Sequence, residues 1–213
     1  MKQPERGHRI TRRSCLLAGL GIPLLRAASD ESLVVSFDGD NIRVAVPGFH
    51  FLTGKPLERL KAADTVVFDS QVTLFNDERG TSIFHHPVTE RLIFSYDLWE
   101  QKFSVTVKAV GTTNRSKSLM TAPQAEAFAL GELAINALGL APDVPFWLRF
   151  DLVVRSNKDL SSAVGDSGIS VTGLLLDWLS RKPGADNPYW SKKAGPFRLS
   201  DLPRTPPARG PRG

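Results

Sequence analysis

Residues 146–155 read FWLRFDLVVR, and the fold class turns on how this stretch is taken. Phe146, Leu148, Phe150, Leu152 and Val154 are apolar at every second position, while Arg149, Asp151 and Arg155 fall between them. Successive side chains of a strand point to opposite faces, so a period of two over this length predicts a strand with one buried face. The same pattern recurs to the N-terminal side. In TVVFDSQVTLF (65–75), Val66, Phe68, Val72 and Leu74 share a face against Asp69, Gln71 and Thr73. RLIFSYDLW (91–99) aligns Leu92, Phe94 and Tyr96, and KFSVTVKA (102–109) aligns Phe103, Val105 and Val107. SLVVSF and NIRVAVP flank Asp38-Gly39-Asp40-Asn41, a hairpin turn by composition. Strands with one wet face belong to antiparallel sheets.

Three segments read as helices. TGKPLERLKAAD offers Thr53 as N-cap, with Leu57 and Leu60 on one face. Thr121 and Gln124 have capping-box spacing, and Phe128, Ile135 and Leu138 recur near helical period, which predicts a helix over Thr121–Leu138 stopped by Gly139. TGLLLDWLSRK, with Thr172 as cap and Pro183 beyond its end, is the third. The expected fold is mainly β: an antiparallel β-sandwich with two or three peripheral helices, an α+β arrangement being the alternative.

The N-terminus has its own organisation. RITRR, a short apolar run from Leu16 to Leu25 broken by Gly19, Gly21 and Pro23, and a small-residue exit at Ala27-Ala28-Ser29 make the three parts of a secretory signal. A membrane-spanning helix needs about 20 apolar residues, and this run is too short. Thr11-Arg12-Arg13-Ser14-Cys15-Leu16-Leu17 resembles the twin-arginine export signal, with Cys15 and Leu17 departing from the usual Phe and Lys. Residues 1–29 are therefore read as an export signal peptide with Arg12 and Arg13 at its centre, and the protein as periplasmic or otherwise in the cell envelope. Residues 30–182 form the single β-rich domain. Residues 183–213, in which Pro and Gly supply 11 of 31 positions, form a basic tail expected to be partly or wholly disordered. Tyr189, Trp190 and Phe197 are exceptions that would pin NPYWSKKAGPF to the domain.

The formal charge of +5 is misleading as a sign of nucleic-acid binding. Residues 1–29 hold six of the Lys and Arg and one Glu, so the rest of the chain balances 21 basic against 21 acidic groups. The domain itself is mildly acidic, and no nucleic-acid partner is expected. The only cysteine is Cys15, so the domain has neither a disulfide nor a thiolate.

The run from about Phe49 to Ser180 resembles a bacterial envelope family, the domain-of-unknown-function family 4390. The likeness lies in the order of LERLKAA, VVFDSQVTLFND, LIFSYDLWEQKFSV, a helix beginning TAPQAEA, and the amphipathic FWLRFDLVV. The glycine often found after the family's first helix is replaced by Ala63-Asp64. The resemblance implies an extracytoplasmic β-rich domain and carries over no catalytic residues.

Residues that suggest chemistry have plainer readings. Gly165-Asp166-Ser167-Gly168 is similar to the nucleophile loop of chymotrypsin-like proteases, but Ile169 stands where a glycine should follow and no matching histidine motif exists. His85-His86 would point to opposite faces of a strand and serve one metal only in a turn, with His50 the sole other histidine after the leader. Asp38, Asp40 and Asn41 are too closely spaced to wrap calcium. No Gly-rich phosphate loop follows a strand. No catalytic, cofactor-binding or metal-ligating residue is assigned, and no cofactor is expected. Trp99, at the turn of YDLWEQKF, is either packed over a sheet end or is an anchor for a partner, a role tryptophan favours. The function expected is that of an exported, non-enzymatic binding domain for an envelope protein or wall component. A hydrolase-type enzyme with an unrecognised site and a structural accessory of an envelope assembly are the alternatives.

Overall fold

The computed structural model describes residues 33–84, 87–109, 113–155 and 188–204. These form two antiparallel sheets that share one core, flanked by two short helices. The smaller sheet has the order β1 (Val34–Phe37), β2 (Asn41–Ala45), β7 (Ala134–Asn136). The larger runs β6 (Arg115–Met120), β5 (Lys102–Ala109), β4 (Val88–Asp97), β3 (Val66–Phe75), β8 (Phe146–Val154), β9 (Tyr189–Phe197). Neither sheet closes into a barrel, and all neighbouring strands are antiparallel. The antiparallel sandwich expected from the period-two stretches is the architecture observed.

The 38–41 turn forms as its composition demands. Gly39 takes a φ of 105°, closed to most residues, and Asp38 accepts the Asn41 N–H at 2.9 Å. That bond holds the Asp38 carboxyl below the usual carboxylate range against the opposing effect of burial, with the Arg43 guanidinium 2.8 Å from Oδ2 adding to it. In β8, Phe146, Leu148, Phe150, Leu152 and Val154 all face the core. They share the core with Phe51, which projects from the loop after β2 into an aromatic cluster. Its ring lies 5.0 Å from Phe68 and 5.7 Å from Phe94, both edge-on, the arrangement the ring quadrupoles favour. Helix α1 (Gly54–Lys61) lays Leu60 on this core and Leu57 at its margin; Thr53 precedes it without a side-chain cap bond.

Three features depart from the sequence expectation. The long helix over Thr121–Leu138 is two elements: α2 (Ala122–Leu130) and, after a turn at Gly131-Glu132, strand β7. The capping box is present, with the Gln124 amide oxygen accepting the Thr121 N–H at 3.0 Å. Past Gly131, however, the apolar period is two: Leu133, Ile135 and Ala137 are buried, and Ile135 pairs with Ile42. Leu138, assigned to the helix face by spacing, is 80% exposed, and Gly139 turns the chain at φ 81°.

Second, β3 has no wet face. All ten of its residues are buried, Asp69, Gln71 and Thr73 included. Charge pairing makes this tolerable. Asp69 Oδ1 accepts from Arg91 Nε at 3.1 Å and Oδ2 from Arg155 Nε, while Gln71 donates to Thr73 Oγ1 at 3.1 Å. On the adjacent strand β8, Asp151, opposite Gln71, is also buried. It takes Arg149 Nε at 2.8 Å, and the hydroxyls of Tyr189 and Ser191 at 2.6 Å each. Third, composition placed the domain end at residue 182, yet β9 supplies the sixth strand of the large sheet. The aromatics of NPYWSKKAGPF do pin it: Trp190 packs against the core, and the Phe197 ring lies 5.8 Å from Phe146.

Glu90 provides a test of how burial acts on a charge. It lies on the core side of β4 in line with Leu92 and Phe94, and is 7% exposed. Burial pushes its carboxyl up, opposed by Arg115 and aided by Glu132. Arg115 bonds Glu132 at 3.3 Å and lies 5.5 Å over the Phe128 ring. Because the folded pKa is raised, the stabilisation from Glu90 is present below the unfolded carboxyl value of about 4.3 and is lost as pH rises through the folded pKa. Glu90→Gln is expected to raise the urea midpoint at pH 7 and to lose that advantage as the pH falls. A Gln variant less stable than wild type at pH 7 would mean that attraction to Arg115 outweighs burial.

Candidate functional site

Among the described residues, a hairpin tip and a cleft beside α2 present chemistry to the outside. The first is the tip of the β4–β5 hairpin. Asp97 pairs with Lys102, leaving Leu98–Gln101 as the turn. Asp97 Oδ1 accepts the N–H groups of Trp99 at 2.8 Å and Glu100 at 3.0 Å, and Gln101 completes the reversal at φ 52°. Such a side-chain-to-backbone bond two residues on is what makes Asp a turn former. Beneath the turn, the Tyr96 and Phe103 rings lie 4.8 Å apart and tie the strand ends together. The turn is thus held firmly, and it lifts its largest side chain into solvent: Trp99 is 95% exposed and Leu98 54%. Of the two readings of Trp99, the packed one is excluded by this exposure. On the next strand Leu119, at φ 59° beside the Met120–Phe103 pair, is also exposed.

The second place is a cleft of about 350 Å3 between the β2–α1 loop and α2. Val46, Pro47, Phe49, Pro123, Ala127 and Leu130 form its apolar walls, with Glu126 and His50 at one side. Glu126 Oε1 accepts the N–H groups of Phe51 and Leu52 at 2.7 Å each, and Oε2 meets His50 Nδ1 at 2.7 Å. The carboxylate is 6% exposed and the imidazole 62%. A buried carboxylate needs such donors to offset its desolvation. Here it serves as the staple that fixes the loop carrying Phe49 and Phe51 to α2. It also requires the imidazole to donate from Nδ1.

Of the residues singled out from sequence, Trp99 stands at the first place and His50 at the second. Asp38 and Asn41 are engaged in the hairpin turn. Arg12, Arg13, Cys15, His85, His86, Gly165–Gly168 and the 172–182 helix lie outside the described residues. Among the described residues, no three His, Asp or Glu side chains gather to hold a metal, and no helix is long and apolar enough to cross a membrane. Sequence reading missed Glu126. Its signal was available, a lone carboxylate inside the apolar helical run AEAFAL, where an acid needs a specific partner. The Asp69–Arg91–Arg155 group carried no such signal, because its members look like ordinary outward residues of three strands.

No protein-family model matches the chain, and neither a curated protein nor a solved structure is similar to it.

Proposed function

We propose that this is an exported domain of the bacterial envelope that works by binding, and that the β4–β5 tip captures a protein or wall component. The observation that carries the reading is Trp99, 95% exposed on a turn held by Asp97. Covering an indole removes roughly 150–250 Å2 from water. That is worth about 4–6 kcal/mol at about 25 cal/mol per Å2, before association costs. A turn already fixed by its own hydrogen bonds loses little freedom on docking, so less of that gain is offset.

The test is capture from solubilised envelope material with the full-length chain as bait. Trp99→Ala is expected to weaken capture by roughly tenfold or more, as for an interface hot spot, with an unchanged thermal midpoint because the residue is 95% exposed. Equal capture by wild type and Trp99→Ala would remove the reading. The hydrolase-type alternative draws on His50, since an imidazole fixed by a carboxylate is the orienting half of many hydrolytic sites. Ester or peptide turnover abolished by His50→Ala would favour it.

Export rests on the leader. Replacing Arg12 and Arg13 together by lysine is expected to retain the protein inside the cell if the twin-arginine route is used, and the exported form should begin near Ala28 to Asp30 by mass spectrometry. An exported chain still starting at Met1 would overturn the signal-peptide reading. Export of the double-lysine variant would overturn only the route.

A further inference from the structure

Among the described residues, Glu90 Oε2 and Arg115 Nη2 are buried with no hydrogen-bond partner. Buried polar atoms are almost always paired, and these two are complementary: a carboxylate oxygen accepts and a guanidinium nitrogen donates. The sheet register sets them near one another. Arg115 on β6 lies opposite Val107 on β5, and Val107 lies opposite Leu92 on β4. Glu90 is two positions before Leu92, so it shares the core face with this row and stands one step beyond it. β5 alone separates the two strands, and its residue opposite Glu90 is the small Ala109.

In the structure Arg115 reaches toward α2 instead. Its Nη1 meets Glu132 Oε1 at 3.3 Å, and its guanidinium carbon lies 5.5 Å from the centre of the Phe128 ring. Glu132 is 61% exposed, so the ion pair is of the solvated kind that contributes little. Both contacts fasten α2 and the turn after it to the edge strand β6. We propose that Arg115 is a latch with two positions: it holds Glu132 while Glu90 is neutral, and moves inward to Glu90 once that carboxyl loses its proton.

Arg115 from β6 and Glu132 from the turn after α2 are the charged groups that act on the Glu90 carboxyl, the first attracting its charged form and the second repelling it. β3 offers Ser70 opposite it, whose hydroxyl donates to the Glu90 backbone carbonyl at 3.4 Å, and β5 offers Ala109. Arg91, next in sequence, points to the other face and bonds Asp69. An ionised Glu90 with no donor would carry the full penalty of burial, and Arg115 Nη2 is the donor on the same face still without a partner. Burial holds the Glu90 carboxyl above its usual range, which places the change above about pH 4.3. Below the folded value Glu90 keeps its proton and Arg115 stays on Glu132. As the pH rises through it, the proton goes to solvent, Arg115 turns inward, and α2 loses these ties to β6.

NMR titration of the full-length chain, labelled at the glutamate carboxyl carbons and the arginine Nε, tests this. In wild type the Arg115 Nε shift is expected to move with the same midpoint as the Glu90 carboxyl. Amide exchange at Leu130 and Gly131, where α2 ends, is expected to quicken across that midpoint. The gain should be about two- to fivefold over Glu90→Gln at equal pH, the scale of an exposed ion pair; equal pH removes the ordinary dependence of exchange on hydroxide. Glu90→Gln fixes the latch on Glu132, so its Arg115 shift is expected to stay flat. Glu132→Gln removes the outer position. Exchange at the end of α2 should then be fast at every pH, and Glu90 should ionise at lower pH, because a repelling charge is gone and Arg115 is released to it. An Arg115 shift that ignores the Glu90 midpoint, exchange that follows the same course in wild type and Glu90→Gln, or a Glu90 midpoint unmoved in Glu132→Gln would each overturn the latch. So would a Glu90 carboxyl that titrates nowhere between about pH 4 and pH 9, the span known for buried glutamates.

Discussion

Phe150→Asp is expected to leave no folded protein at neutral pH. Phe150 is fully buried at the middle of β8, opposite Val72 on one side and Lys192 on the other, with the Phe49 ring edge-on at 5.9 Å. Losing the ring costs about 3–5 kcal/mol, and placing an unpaired carboxylate there costs several more. The sum reaches a typical domain's total of about 5–15 kcal/mol. Far-UV circular dichroism and a urea titration would show the loss. Arg149→Asp, one residue away on the opposite face, is the comparison. It removes the 2.8 Å bond to Asp151 and the contact over the Phe75 ring, and sets a second carboxylate beside the first. A smaller but measurable loss is expected, and equal loss at the two positions would mean that burial of the β8 core face is not what holds the sheet.

Asp69→Ala should be the next most damaging change. Asp69 is the shared acceptor for Arg91 and Arg155, with side-chain exposures of 7%, 11% and 9% respectively. Removing Asp69 takes from both arginines the buried carboxylate they share, a loss of about 3–5 kcal/mol. Asp69→Asn keeps an acceptor for one arginine and should lose less. Replacing all three by apolar residues of similar volume should recover much of the loss, because desolvation is then removed along with attraction. Chemical denaturation of the three variants would order them. An Asp69→Ala protein within about 1 kcal/mol of wild type, the scale of an exposed pair, would show that the group is solvated.

What was legible in the chain follows from which interactions are local. The 38–41 turn, the Thr121–Gln124 cap and the core face of β8 each depend on residues within a few positions of one another, and composition or period reveals them. The break of the long helix at Gly131 was legible in principle, since Leu133, Ile135 and Ala137 alternate. Yet Phe128, Ile135 and Leu138 also satisfy a helical spacing, and only pairing with Ile42 on β2 decides between the two. The buried polar face of β3 was not legible at all. Alternation assigns Asp69 and Gln71 to water, whereas Asp69 is buried against Arg91 and Arg155, far from it in the chain, and Gln71 beside Thr73. The candidate site divides the same way: Trp99 was visible as a turn aromatic, its exposure was not, and Glu126 acquires its role from loop N–H groups that lie 74 and 75 residues away.

The pairing of β3 with β8 bears on the time the protein takes to form. Asp69 and Arg155 are 86 positions apart along the chain, and the sheet's last strand begins only at Tyr189. Closing so long a loop must precede the contacts that reward it, and domains dominated by such distant pairings fold in milliseconds to seconds rather than microseconds. During synthesis at about 5–20 residues per second, β3, β4, β5 and β6 emerge well before β8. For several seconds, one side of β3 stands as an open hydrogen-bonding edge carrying Val66, Phe68, Val72 and Leu74, the kind of edge that recruits other chains. Successful maturation therefore depends on that edge staying solitary until residues 146–154 arrive to cover it.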